Sequence, residues 1–138
     1  MKKILWIILV AGTFTACKKS KVTTPALNNS LFGTWELHSR IGGNIMPPDT
    51  TYKPGNGNML QFNADSTYKS YTNGTLAYSG VFHIVRVADN SAKMMPDYAI
   101  YFDSDTSFKS MIAIGNGQLI LRPLIPDIGT TEYNKIAN

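Results

Sequence analysis

Few residues in this chain have the chemistry of a catalyst. Its two histidines, His38 and His83, fall in separate segments, and its one cysteine, Cys17, has no second thiol with which to hold zinc or form a bridge. The spacings His-x-x-Glu-His and Gly-x-Ser-x-Gly, which set a base or a nucleophile on a helix or a tight turn, do not occur. Asp103-Ser104-Asp105 opens like a calcium loop, but Ile114 stands where the twelfth-position carboxylate belongs, and Phe108 and Lys109 replace the glycine and an oxygen ligand. What remains is suited to binding. Rings recur at alternating positions (Trp35, Phe62, Tyr68, Tyr78, Phe82, Tyr98, Phe102, Phe108, Tyr133), and they can wall an apolar pocket or fill it. Arg86, at the end of the longest alternating run, is a candidate partner for a ligand carboxylate or an internal acid. The expectation is a protein that is not an enzyme and uses no metal and no cofactor.

The scale is that of one domain: 138 residues, 43% apolar and only 16% charged. That balance excludes a disordered tail, a coiled coil and a multi-span membrane protein. The net charge of +4 is misleading, because five of the 13 basic residues precede residue 22, while the nine acids all follow residue 30, among eight basic residues. The body is close to neutral, so no nucleic-acid partner is expected.

Lys2 and Lys3 are followed by an apolar run, Ile4 to Ala11, far shorter than the ~20 residues a membrane-spanning helix needs. Residues 1–16 therefore read as a signal peptide. Phe14-Thr15-Ala16-Cys17 resembles the lipobox of bacterial lipoproteins, with Phe14 replacing the usual leucine. The resemblance implies an acylated Cys17, carrying palmitate among its chains, as the new N-terminus. Several chains give stable anchoring where one is marginal. Lys18, Lys19 and Lys21 would then lie at the membrane surface, each adding about 1 kcal/mol against anionic headgroups. Residues 17–30 lack apolar periodicity and read as a lipidated cysteine with a flexible tether. The tether carries no acidic residues, and the expected location is the cell envelope, on the periplasm-facing side of the outer membrane.

From residue 31 to residue 138, Gly, Pro and Asn punctuate short runs rich in Thr, Tyr, Phe, Ile and Val. These runs predict eight strands, at 34–41, 58–63, 66–72, 75–86, 97–103, 107–115, 118–122 and 130–136. A single helical turn is predicted at 89–95. Asn73-Gly74 and Gly115-Asn116-Gly117 predict tight hairpins, and Ala64-Asp65 a third short connection, so neighbouring strands run antiparallel as a meander. Alternation gives every strand one apolar face, and sets Glu36, His38, Arg40, Lys69, His83, Lys109 and Gln118 on the other. With no helix to cover that face, closure into an eight-stranded antiparallel up-and-down barrel is the economical solution, and a two-sheet β-sandwich is the alternative.

Leu31-Phe32-Gly33-Thr34-Trp35 resembles the Gly-x-Trp opening of lipocalins and their bacterial lipocalin-like relatives. Leu60-Gln61-Phe62-Asn63-Ala64-Asp65-Ser66-Thr67-Tyr68 is similar to a hairpin common in small lipocalin-like lipoproteins of Bacteroidetes, with Ser66 in place of glycine. The resemblance implies a barrel floor made by Gly33 and Trp35, with a basic residue of a late strand over the indole, here Arg122. It also implies a first loop that guards the barrel mouth, which makes Ile45, Met46 and Tyr52, within the long connection 42–57, candidates for a lid. The candidate ligand lining is Leu37, Phe62, Tyr68, Tyr78, Phe82, Arg86, Tyr98, Ile100 and Phe108. The expected function is non-catalytic binding of a small apolar or amphipathic ligand by a protein attached to the membrane through its lipid anchor. The alternatives are a filled barrel that presents loops to an envelope protein, or an accessory or inhibitory subunit of an envelope complex.

Overall fold

The computed structural model describes residues 27–43, 49–87, 98–125 and 127–137. The alternating runs among them form strands β1 Gly33–Ile41, β2 Thr50–Thr51, β3 Met59–Phe62, β4 Thr67–Thr72, β5 Thr75–Arg86, β6 Tyr98–Phe102, β7 Ser110–Gly115, β8 Gln118–Pro123 and β9 Thr130–Ala137. One helical turn, α1 Leu27–Leu31, precedes them. β1 pairs antiparallel with β3, each strand from β3 to β9 pairs antiparallel with the next, and β9 returns to β1 over Thr34–Ile41, so the sheet closes into an up-and-down barrel of eight staves. A closed ring of pairings leaves no second sheet, which rules out the sandwich alternative. The ninth strand adds no stave: β2 pairs with Ser39 and Arg40 on the edge of β1 that β3 occupies from Gly33 to Glu36.

The turns obey their local chemistry. Asn73 (φ 50°) and Gly74 (φ 78°), like Asn116 (φ 51°) and Gly117 (φ 74°), adopt the left-handed backbone that two-residue hairpins require. In the β3–β4 turn, Ser66 takes that conformation at φ 66°, which glycine adopts at less cost. Asp65 fixes this turn by accepting hydrogen bonds from the Thr67 N–H (3.0 Å) and hydroxyl (2.6 Å).

The long connection 42–57 is only partly a loop. Beyond β2 it is tied to β1, where the Glu36 carboxylate accepts from the N–H groups of Gly55 (2.9 Å) and Gly57 (3.2 Å). The Asn56 amide donates to the Leu37 carbonyl at 2.9 Å, and Gly57 in turn accepts from Gly74 N–H at 2.8 Å. Glu36, expected on the solvent face, is therefore buried at 8% exposure with its charge satisfied by backbone donors. The expected tether also needs revision, because its residues 27–30 belong to α1. The helical turn predicted at 89–95 lies outside the described residues.

Strand direction gives the barrel two ends. The floor holds Gly33, the β3–β4 and β7–β8 turns, and α1, whose Leu31 is fully buried in the core. The open end holds the connections after β1, β4, β6 and β8. Between them, Trp35, Leu60, Phe62, Tyr68, Phe82, Ile100, Ile112, Leu119 and Leu121 form one core cluster with Leu31.

Candidate functional site

Gly33 and Trp35 lie at the floor, and the residue over the indole is not the expected one. Gly33 is buried at φ 123°, a backbone conformation that L side chains rarely adopt. Two residues on, Trp35 is 1% exposed and its indole N–H donates to the Leu31 carbonyl at 2.7 Å, satisfying an end of α1 that would otherwise have no partner. The cation over the indole is Lys135, with Nζ 5.3 Å from the ring centroid and 3.5 Å from the Ser30 carbonyl. Arg122, expected there, is exposed on the outer wall of β8, where its Nε donates to Thr130 Oγ1 at 3.4 Å. Register decides the matter: Trp35 lies opposite Lys135, whereas Arg122 lies opposite Met111 on β7.

Of the nine expected ligand-lining residues, six pack on one another, against the core or at the mouth, and three do not. Phe62 meets Phe82 edge-on at 5.1 Å and Phe102 at 6.3 Å, and Tyr68 tilts against Phe102 at 4.6 Å. Ile100 is 0% exposed within the same cluster, and Leu37 is buried nearer the open end. Contacts of this kind add about 0.5–1.5 kcal/mol per aromatic pair beyond burial, so these rings hold the fold. Tyr98 is half-buried against the cluster. Tyr78, by contrast, is 72% exposed, because the first half of β5 is paired with β4 alone, β6 covering β5 only from Phe82 to Arg86. Phe108 is 58% exposed, because β7 begins at Ser110 and leaves Phe108 in the preceding turn. Arg86 ends β5 and is exposed there.

The Tyr68 hydroxyl, at the inner edge of this core, donates to Asp103 Oδ2 at 3.2 Å, and Asp103 Oδ1 accepts from Val81 N–H at 3.0 Å. Burial first, and the neighbouring Asp103 charge second, push the Tyr68 phenol above its usual range. The carboxylate sits against Gly80, where any Cβ would collide with it.

Of the candidate lid, Ile45 and Met46 lie outside the described residues. Tyr52 is half-buried, with its N–H donating to the His38 carbonyl at 2.8 Å and its ring 5.8 Å from the Arg40 guanidinium. Beside it a cavity of about 80 Å3 opens at the barrel mouth, lined among others by Leu37, Arg40, Leu60, Ser70 and Tyr133. Burial pushes the Tyr133 phenol up, partly opposed by its Thr131 hydrogen bond and by Arg40. A wider depression of about 470 Å3 lies on the outer wall at Val81, His83, Tyr101 and Thr106, with His83 stacked on Tyr101 at 4.8 Å. Among the described residues no three His, Cys, Asp or Glu side chains converge on one point.

Sequence reasoning missed the Arg40 cluster because it set Arg40 on the outer face. No protein-family model, curated protein or solved structure matches this chain. Architecture alone therefore defines its class: a small closed β-barrel with a capped floor and a ring-packed middle.

Proposed function

We propose that this chain is a lipid-anchored cell-envelope protein of lipocalin-like type, without catalytic activity, that keeps its barrel filled and engages an envelope partner at the end facing away from its anchor. The carrying observation is a division among large apolar residues. The candidate lining residues Phe62, Phe82 and Ile100 are spent on one another, while five of the seven large hydrophobics exposed among the described residues, Ile41, Leu76, Tyr78, Phe108 and Leu124, lie at the open end, with Val81 on the wall and Ile136 at the floor. Exposed apolar residues gathered at one end are the usual mark of an interaction surface. The lipobox-like run at Cys17 supports the anchor. Because α1 starts at Leu27 on the floor, a tether from Cys17 joins the barrel there and points the open end away from the membrane. The outer membrane, periplasm-facing side, is the proposed location.

The narrower small-molecule reading keeps one support, the mouth cavity, whose 80 Å3 is well below the roughly 300–1,000 Å3 of a drug-sized site. Site-specific photo-crosslinking in membranes of the producing cell tests the main reading. A crosslinker at Tyr78 or Phe108 captures a defined partner, and one at Asn116 on the floor does not. Capture from Asn116 alone refutes the orientation. A large adduct held by the freshly extracted protein in native mass spectrometry refutes the filled barrel. Labelled palmitate enters the wild type and not Cys17→Ser, which leaves the membrane fraction. Incorporation unchanged in that variant removes the anchor.

A further inference from the structure

β5 is the longest strand of the barrel, and its two neighbours cover different parts of it. β4 pairs with Thr75 to Val81, whereas β6 pairs with Phe82 to Arg86. No described residue therefore pairs with the β6-side edge of β5 between Leu76 and Gly80. Alternation shows which groups stand free there. Phe82 N–H donates to the Ser66 carbonyl on the β4 side at 2.8 Å, and the Val81 carbonyl accepts from Asp103 N–H on the β6 side at 2.7 Å. Ser79 is two residues from Val81 and lies below the bulge that offsets Leu76 from Tyr78, so it turns its own N–H and carbonyl to the β6 side, where no described residue meets them.

Strand edges in natural proteins are blunted by charges, prolines or a covering segment. Leu76 to Val81 holds no charged residue and no proline. It holds three of the seven large hydrophobics exposed among the described residues: Leu76, Tyr78 and Val81. Such an edge is a template for an extended backbone, which alone can match its donors and acceptors. The turn that ends β6 adds a charge. Asp103 accepts from the Tyr68 hydroxyl and Val81 N–H, and Asp105 from Ser107 N–H, and neither meets a cation among the described residues. Beside this turn lies the outer-wall depression of about 470 Å3, between Val81 and the pair Ser104 and Thr106. A strand that continues the line of β6 runs antiparallel to β5 and starts at this turn, where a basic first residue complements the two carboxylates. A second copy of the chain fits poorly. Antiparallel pairing of β5 with β5 points the two floors in opposite directions, whereas both floors face one membrane when each copy is anchored there.

We propose that the free edge of β5 from Leu76 to Val81 docks an extended segment of the envelope partner, added as a strand antiparallel to β5 with a basic residue first, against Asp103 and Asp105. The proposal rests on the partner reading and names how that partner is held.

The probe is the amidated hexapeptide Lys-Thr-Val-Thr-Val-Thr, added to the isotope-labelled full chain in neutral detergent and followed by NMR. It gives saturable shifts at Ser79 and Val81 and slows amide exchange at Ser79 roughly tenfold or more. The same peptide with Glu first binds about tenfold more weakly, and its fully N-methylated form does not bind. Ser79→Pro removes the outward N–H, which the barrel does not use, and abolishes binding. Asp105→Asn keeps the edge and narrows the difference between the Lys-led and Glu-led peptides. Thermal melts confirm that both variants are folded. No saturable shift, equal binding of the Glu-led or N-methylated peptide, or unchanged binding in Ser79→Pro overturns the proposal. A dimer of the chain in light scattering that Ser79→Pro dissolves makes the occupant a second copy and overturns it too. Crosslinking at Tyr78 that captures the partner undiminished in Ser79→Pro overturns the edge and keeps the partner reading. Peptide binding without capture in cells supports the edge and refutes the partner reading.

Discussion

Replacing Trp35 with Phe isolates what the indole nitrogen does for the floor. Phenylalanine keeps most of the buried ring but loses the 2.7 Å hydrogen bond to the Leu31 carbonyl. That bond contributes about 1 kcal/mol, and the carbonyl left unpaired beside a fully buried Leu31 costs a further ~1–2 kcal/mol. The smaller ring also leaves a gap and weakens the Lys135 contact, for a total near 3 kcal/mol. At about 4 °C per kcal/mol for a domain of this size, the midpoint of thermal unfolding falls by roughly 12 °C. Urea denaturation followed by far-ultraviolet circular dichroism measures the loss without relying on tryptophan. Hydrogen exchange at α1 locates it, because α1 loses the donor that satisfies its last turn. Two companions separate register from composition: Lys135→Met costs about 0.5–1 kcal/mol, and Arg122→Gln stays within about 0.5 kcal/mol of the wild type. A Trp35→Phe loss below about 0.5 kcal/mol, or a larger loss for Arg122→Gln than for Lys135→Met, refutes the floor as described.

Other substitutions follow from single geometric facts. Ser66→Gly relieves a left-handed residue at φ 66° and raises stability by about 1 kcal/mol in urea denaturation; a loss contradicts this reading of the turn. Gly80→Ala drives a methyl group into the Asp103 carboxylate, which Val81 N–H and the Tyr68 hydroxyl hold in place, and costs about 1–3 kcal/mol; a neutral result shows that the carboxylate moves freely. Tyr68 and Tyr133 both have phenols raised in the folded state. Their contribution is complete below the unfolded tyrosine pKa near 10 and is lost as pH rises through the higher folded values, so denaturation midpoints fall on the alkaline side. The double variant Tyr68→Phe/Tyr133→Phe flattens that fall, and an identical slope removes the assignment.

Much of this architecture is written locally. The period-two runs mark their own strands, and Asn73-Gly74 and Asn116-Gly117 mark their own turns, because backbone preference acts within a few residues. α1 is not legible: LNNSL is too short to display a helical period, and it forms where Leu31 is buried and its carbonyl meets Trp35. Glu36 likewise reads as a solvated acid until the Gly55 and Gly57 N–H groups close over it.

Local pattern marks where the chain reverses and requires the apolar faces to close on one another. What each face meets is settled between strands. Lys135 rather than Arg122 covers Trp35, because β9 crosses β1 in that register. Tyr78 stands in solvent, because β6 is too short to wall the first half of β5. Arg40 enters the mouth, because one extra residue at His38 reverses the alternation against β9. A strand's pattern is a property of one segment, whereas register, bulge and stave length exist only between two, and the residues at the open end depend on all three.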